Sequence, residues 1–351
     1  MQHEITTRHP LLDENGHVIE AGWSRDYLLE YNRDAIQVPE KDIREWEYFL
    51  ALERDYALGL SMANVGSTSR LSVHFIDFAA GRHVCESDLW IAEGSEGLAM
   101  PRDVWGTTHY KTDTAEGVYE KRGDTCHVRI RYKNFTPGRD FSADLVFTVP
   151  QGDKTVMVIP YKTDPNLFYY NYKINCMPVE GTMEFEGKTY RFCRETAMGT
   201  NDWGRGIWEH VNQWYWGSCS TTLNGKPFGF NIGHGFGDTS NATENIVFYD
   251  RRAHKLEDVI FRIPGDVIGD LKLVLPDENY MKPWKFESSD GRLDMDFVPV
   301  HDRQSGLSVG DYNSGQHQVF GLFSGKAVLD DGTELAFRDL FGFAEKVGNA
   351  W

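Results

Sequence analysis

No run of about 18 apolar residues occurs in the 351-residue chain, so no segment has the length of a membrane-spanning helix. The opening residues, MQHEITTRHPLLDENG, lack the apolar stretch of a secretory leader, and a cytoplasmic location is the expectation. Cysteine is scarce: Cys85, Cys126, Cys176, Cys193 and Cys219 are scattered, odd in number and never in a CxxC spacing. That pattern excludes a zinc-ribbon frame and favours reduced thiols. Lysine and arginine (36) are outnumbered by aspartate and glutamate (53), for a formal net charge of −17, and no basic run occurs. Nucleic acid and anionic membrane, both polyanions, are thereby excluded as partners. HExxH, GxxxxGK[ST] and GxSxG are all missing. The G-x-G triplets at Gly204–Gly206 and Gly233–Gly237 have no βαβ context, so no organic cofactor is expected. Short-period repeats are absent as well.

What is present is aromatic and alternating. Forty per cent of residues are apolar and 13% aromatic, enough for well-packed cores. REWEYFLAL (Arg44–Leu52) sets Trp46, Tyr48, Leu50 and Leu52 against Glu45 and Glu47, and TCHVRIRYKNF sets Val128, Ile130 and Tyr132 against Arg129, Arg131 and Lys133. Period two with aromatics predicts strands. Short strands recur at intervals of about ten residues, and among the turn signals between them are Arg122-Gly-Asp124, Pro150–Asp153, Glu186-Gly187, Asn224-Gly225 and Asp330–Thr333. LKLVL (Leu271–Leu275) is read as one further strand, and Arg25–Tyr31 as the one short helix. The expected fold is all-β, two consecutive antiparallel barrels or sandwiches, residues 1–174 with an irregular N-terminal arm and residues 175–351.

The stretch Gly199–Asp250 concentrates the chemistry. It holds Trp203, Trp208, Trp214 and Trp216, four of the ten tryptophans, with His210, His234, Asp202, Asp238 and Glu244. Indoles with polar groups among them are the composition of an apolar pocket, and equally of a plain β core. With Asn224-Gly225 as the turn, Trp216 faces Gly233, and His234 becomes a diagonal neighbour of Trp214 and Trp216 on the face of Phe230, Ile232 and Phe236. The expected catalytic groups are His234, Asp202, His210 and Glu244; the expected binding groups are Trp203, Arg205, Trp208, Trp214, Trp216, Asn231 and Asn245. Asp202 and Arg205 are read as a carboxylate–guanidinium pair. A metal triad of His234, Asp238 and Glu244 is weighed as an alternative, without a defined ligand spacing, and no metal is assigned.

The segments LLDENGHVIEAGWSRDYLLEYNRDAI, REWEYFLAL, DWGRGIWEHVNQWYWGS, ATENIVFYDRRAHKLEDV and GFAEKVGNAW resemble the DUF2804 family along essentially the whole chain. More distantly, GTMEFEGKTY, DWG and WYWGS are similar to the carotenoid 1,2-hydratase/AttH group. That resemblance implies two lipocalin-like (calycin) β-barrels and hydratase or cyclase chemistry on greasy substrates. The group's Asp-His-x-Trp run is replaced here by Thr200-Asn-Asp-Trp203, so Asn201 stands where a proton-shuttling imidazole is expected. The expected function is a cofactor-independent lyase, hydratase or isomerase acting on a hydrophobic small molecule. A carrier or sensor of such a ligand and a carbohydrate-active or carbohydrate-binding β-protein are the alternatives, and a homodimer is the assembly considered.

Overall fold

The computed structural model describes residues 2–66, 68–91, 98–266, 277–309 and 312–350; the strand expected at Leu271–Leu275 lies outside them. The chain folds into two strongly curled antiparallel sheets in sequence, one of 13 strands and one of nine, each curved into a half-barrel. Helix is confined, among the described residues, to single turns at Arg33–Ala35, Glu40–Asp42 and Asp277–Tyr280.

The turn residues do what their chemistry requires. Asn224 and Gly225 have φ of 52° and 75°, as a type I′ turn demands, and register follows with Tyr215 opposite His234 and Trp216 opposite Gly233. Gly187 and Glu186 turn the same way, with φ of 74° and 53°.

The division expected at 174/175 falls inside the strand Phe168–Phe185, which belongs wholly to the first sheet. Cys176 there has φ 57° and the register shifts between Ile174 and Met177, a bulge that hands the strand from one set of partners to another. The chain changes sheet later, between Ile207 and Val211. The short helix expected at Arg25–Tyr31 is absent; Leu29–Glu30 pairs in parallel with His9–Pro10 instead. Tyr27, Leu29 and Tyr31 are buried in the first core, so apolar anchoring to the barrel overrides the local preference. Gly22–Ser24 adds as a strand beside Thr155–Pro160.

Alternation works on both faces of the central strands. In Arg44–Leu52, Phe49 enters the first half-barrel's core, while Leu50 packs with Trp216, Phe320 and Phe343 of the second sheet. The two half-barrels therefore share a continuous junction, closed on one side by Trp23, Met157, Tyr169, Phe236 and Phe248, against which Trp46, Trp208 and Trp214 pack.

Candidate functional site at the junction of the sheets

Cross-strand register builds the site. On the first sheet one row runs Thr155, Lys173, Asp202, Tyr48, and the next runs Met157, Asn171, Gly204, Trp46. On the second sheet the facing row is Gly233, Trp216, Glu345, Gln318, Arg303. Residues directly opposite share a face, so these side chains all meet in the junction.

At its centre, Lys173 Nζ lies 2.9 Å from Glu244 Oε2, 3.5 Å from Asp202 Oδ2 and 4.1 Å from the centre of the Trp216 ring. Asn171 Nδ2 (2.6 Å) and Trp46 Nε1 (3.2 Å) donate to Asp202 Oδ1. Asn231 Nδ2 donates to Glu244 Oε2 at 3.2 Å, and Trp216 Nε1 fixes the Asn231 amide by donating to its Oδ1 at 2.6 Å. Asn245 accepts from the Gly233 N–H through Oδ1 at 2.8 Å, holding the Glu244 loop against the strand. Glu345 accepts from Trp214 Nε1 (3.3 Å), Gln316 Nε2 (3.0 Å) and Gln318 Nε2 (3.1 Å).

Electrostatics divide these groups. Burial works against the Lys173 charge, yet Asp202 and Glu244 together hold its pKa above the ordinary value. Burial pushes the Glu345 carboxyl up, against the opposing pull of Arg303, Gln316 and Trp214. Two glycines make room: a Cβ on Gly204 would come within 1.9 Å of the Trp46 indole, and one on Gly233 within 2.6 Å of the Glu244 carboxyl carbon. Three buried polar atoms here have no protein partner, Asn171 Oδ1, Thr155 Oγ1 and Trp208 Nε1. In a native protein such an atom calls for an explanation, a water or a ligand being the usual one.

Of the residues expected from sequence, Asp202, Glu244, Asn231, Trp214 and Trp216 come together here, with Asn245 in support. Trp208 stands at the rim, 5.4 Å from Trp46 and 5.6 Å from Phe236. The others lie elsewhere. Arg205 does not pair with Asp202, because three residues apart on a strand means opposite faces. It points into the first half-barrel, 3.4 Å from Glu45 and 4.0 Å from the Trp203 ring. His234 follows Tyr215 to the far face of the second sheet, stacked on it at 4.4 Å, where burial pushes its pKa down to about 4. Phe236 does not share that face: Gly235 (φ 125°) turns the chain, and Phe236 stacks on Tyr169 at 4.0 Å in the junction. His210 is exposed in the link between the sheets. The alternative metal triad is not assembled: Asp238 pairs with Lys162 at 3.0 Å and Glu244 with Lys173. No group of three His, Cys, Asp or Glu side chains among the described residues could hold a metal ion.

Lys173, Asn171, Trp46 and Glu345 were not anticipated. The signal for Asn171 and Lys173 was the alternation in YNYKIN, where Asn171, Lys173 and Asn175 read as a solvent face although Tyr and Ile fill the other. Two surface clefts lie away from Lys173. One of about 390 Å³ is bordered by His234, Thr239 and Asp258, and one of about 700 Å³ by Arg131, Phe141 and Glu184.

A family model described as "Domain of unknown function (DUF2804)" matches residues 2–351. No curated protein matches the sequence. Among solved structures, CghA with Sch210972 is similar at 13% identity and TM-score 0.52, covering 88% of each chain. A putative AttH from Nitrosomonas europaea is similar at 14% identity and TM-score 0.48, covering 91% of this chain and 96% of that one. Kievitone hydratase from Nectria haematococca is similar at 9% identity and TM-score 0.47, covering 92% and 95%. At these identities the likeness concerns the fold alone. No helix among the described residues is long and apolar enough to cross a membrane.

Proposed function

The chain belongs to the DUF2804 family, and from the junction cluster we propose that it is a lyase, hydratase or isomerase that moves a proton on an apolar small molecule. The observation that carries this reading is Lys173, buried between Asp202 and Glu244 under indoles, with the unpartnered Asn171 Oδ1 and Thr155 Oγ1 beside it. Perturbed titratable groups gathered in one cluster, here Lys173 and Glu345, are the mark of acid–base work. Glu345, held towards the neutral form by burial, is the proton donor in this reading. Glu244 or Asp202 takes the proton lost from the neighbouring atom or from water, and Lys173 steadies the carboxylate count through the exchange. Trp46, Trp208 and Trp214, all half-buried, supply the apolar walls, and their ring faces favour positive charge developing on the substrate.

The test begins with native mass spectrometry of protein from its own host, followed by denaturing extraction of bound molecules. A recovered compound is then incubated with the wild type and with Glu345→Gln, Glu244→Gln and Asp202→Asn. Conversion by the wild type, with Glu345→Gln binding but not converting, supports the reading. Recovery of the compound unaltered after prolonged incubation with the wild type replaces it with the carrier reading.

A further inference from the structure

Arg303 closes the same row at its other end, and its charge has no ion-paired carboxylate among the described residues. The side chain is buried, with the residue 1% exposed. Its Nε donates to Gln318 Oε1 at 3.0 Å, and its Nη1 to His74 Nδ1 at 3.3 Å, with Cys85 Sγ at 4.0 Å. Among the described residues no carboxylate forms an ion pair with it. Asp302, next to it on the strand, points to the opposite face and pairs with His317 at 2.7 Å. Glu345, the acid on which Arg303 pulls, is pushed towards its neutral form by burial and accepts from Trp214, Gln316 and Gln318.

Among the described residues, the other deeply buried cations each have an exit. Lys121 has Glu47 at 2.6 Å, Lys173 has Glu244 at 2.9 Å, Arg205 has Glu45 at 3.4 Å and Lys346 has Asp266 at 2.7 Å. Lys255 donates to the carbonyls of Thr243 and Asn245 and has no carboxylate. Burial, against the pull of Glu244, Glu257 and Asp258, lowers its pKa to about 7, so it can shed its proton. A guanidinium cannot. A buried charge without an ion-paired carboxylate is costly, and burial pushes Glu345, the acid on which Arg303 pulls, towards its neutral form, so a bound anion would supply Arg303 with a counter-charge.

The surroundings suit an anion. From the first sheet come His74, His83, Cys85 and Tyr48; from the second come His301 and Gln318. The His83 and His301 rings meet across the two sheets, Nδ1 to Nε2, at 2.9 Å, and both are half-buried, so the cluster reaches towards solvent. His74 accepts from Arg303 through Nδ1, which leaves the hydrogen on Nε2 as a donor. Burial first and Arg303 second hold His74 and His83 below the ordinary imidazole pKa, so both present neutral N–H groups.

We propose that a small oxyanion, the carboxylate or phosphoryl group of a small molecule, binds beside Arg303 between the two sheets, with His74 and the His83–His301 pair as its further partners. The site adjoins the Lys173 cluster through Gln318, which bonds both Arg303 and Glu345, but anion binding there does not depend on the reaction assigned to that cluster.

The test is thermal unfolding at neutral pH and constant ionic strength, with sodium chloride replaced stepwise by sodium phosphate or sodium benzoate. The expected result is a saturable rise in Tm for the wild type with one of them, and no rise for Arg303→Met. In chloride alone Arg303→Met is expected to be the more stable protein, because it removes a buried charge without an ion-paired carboxylate. Response to phosphate only assigns a phosphoryl group, and response to benzoate only assigns a carboxylate. The double variant His83→Gln/His301→Gln, at half-exposed positions, is expected to bind about tenfold more weakly. It keeps the test decisive should Arg303→Met fail to fold. No saturable shift in the wild type, an equal shift in Arg303→Met, or undiminished affinity in the double variant overturns the proposal.

Discussion

Replacing Lys173 by methionine removes the one cation between two buried carboxylates while nearly preserving side-chain length. Glu244 then keeps only the Asn231 amide (3.2 Å), whereas Asp202 keeps Asn171 (2.6 Å) and Trp46 (3.2 Å). Removing one partner of a buried ion pair costs about 3–5 kcal/mol, because the other charge is stranded. The Asp202 donors place the expectation near the lower end, about 3 kcal/mol at neutral pH. The pH dependence follows from the shifts. Lys173 has a folded pKa above its ordinary 10.5, so its contribution is complete below that value and fades only as pH rises past it. In the variant the two carboxylates are buried without their cation, so the loss is expected to shrink as pH falls towards about 5. Urea unfolding at about pH 8 and about pH 5 reads both values, with Lys173→Met/Glu244→Gln expected to recover much of the loss. A cost under about 1 kcal/mol at pH 8, or the same cost at both pH values, would refute the account of a buried triad.

Other consequences are open to the same measurements. Gly204→Ala drives a Cβ into the Trp46 indole and should cost about 1–3 kcal/mol, with a shift in tryptophan emission as the Trp46–Asp202 hydrogen bond breaks; unchanged emission would contradict the close seat. Glu345 has a folded pKa above its ordinary 4.5, so the wild type loses stability as pH rises through that raised value. Glu345→Gln should escape the loss and match or exceed the wild type at pH 8; a less stable variant there would show the carboxylate to be ionised. His234, held near pKa 4 against an ordinary 6.5, favours folding above pH 6.5 and loses that contribution as pH falls towards 4, by up to about 3 kcal/mol. His234→Gln should flatten this acid limb, and an unchanged limb would place the titration elsewhere.

The strands and their turns were legible because each rests on local chemistry. Asn224-Gly225 tolerates positive φ at both positions, and the pairing of Trp216 with Gly233 follows from it. What alternation does not state is what each face meets. In Arg44–Leu52 the glutamates look solvated, yet Glu45 and Glu47 are buried with Arg205 and Lys121, while Trp46 and Tyr48 face another sheet. Lys173 was hidden for the same reason, since a lysine alternating with tyrosines is the ordinary picture of a surface strand. Its partners Glu244 and Glu345 lie 71 and 172 positions further along the chain, beyond the reach of any local pattern. His234 was placed beside the indoles by its nearness to Trp216 along the ladder. It pairs with Tyr215, however, while Trp216 pairs with Gly233, and adjacent positions on a strand point to opposite faces. Gly235 breaks the alternation only after it and displaces Phe236.

The order in which the chain is made gives the shared junction a temporal meaning. The first sheet is complete in sequence at Ile207, but Trp216, Glu244 and Glu345 are made later, and Glu345 sits on Glu334–Ala350, a strand flanked on both sides within the second sheet. At typical ribosomal speeds roughly ten to thirty seconds separate the two events. During that interval Trp46, Tyr169, Lys173 and Asp202 form an uncovered face on the nascent chain, apolar at one end and charged at the other. Such a surface is what a ribosome-associated chaperone holds, and a translational pause within it would favour misassembly over completion.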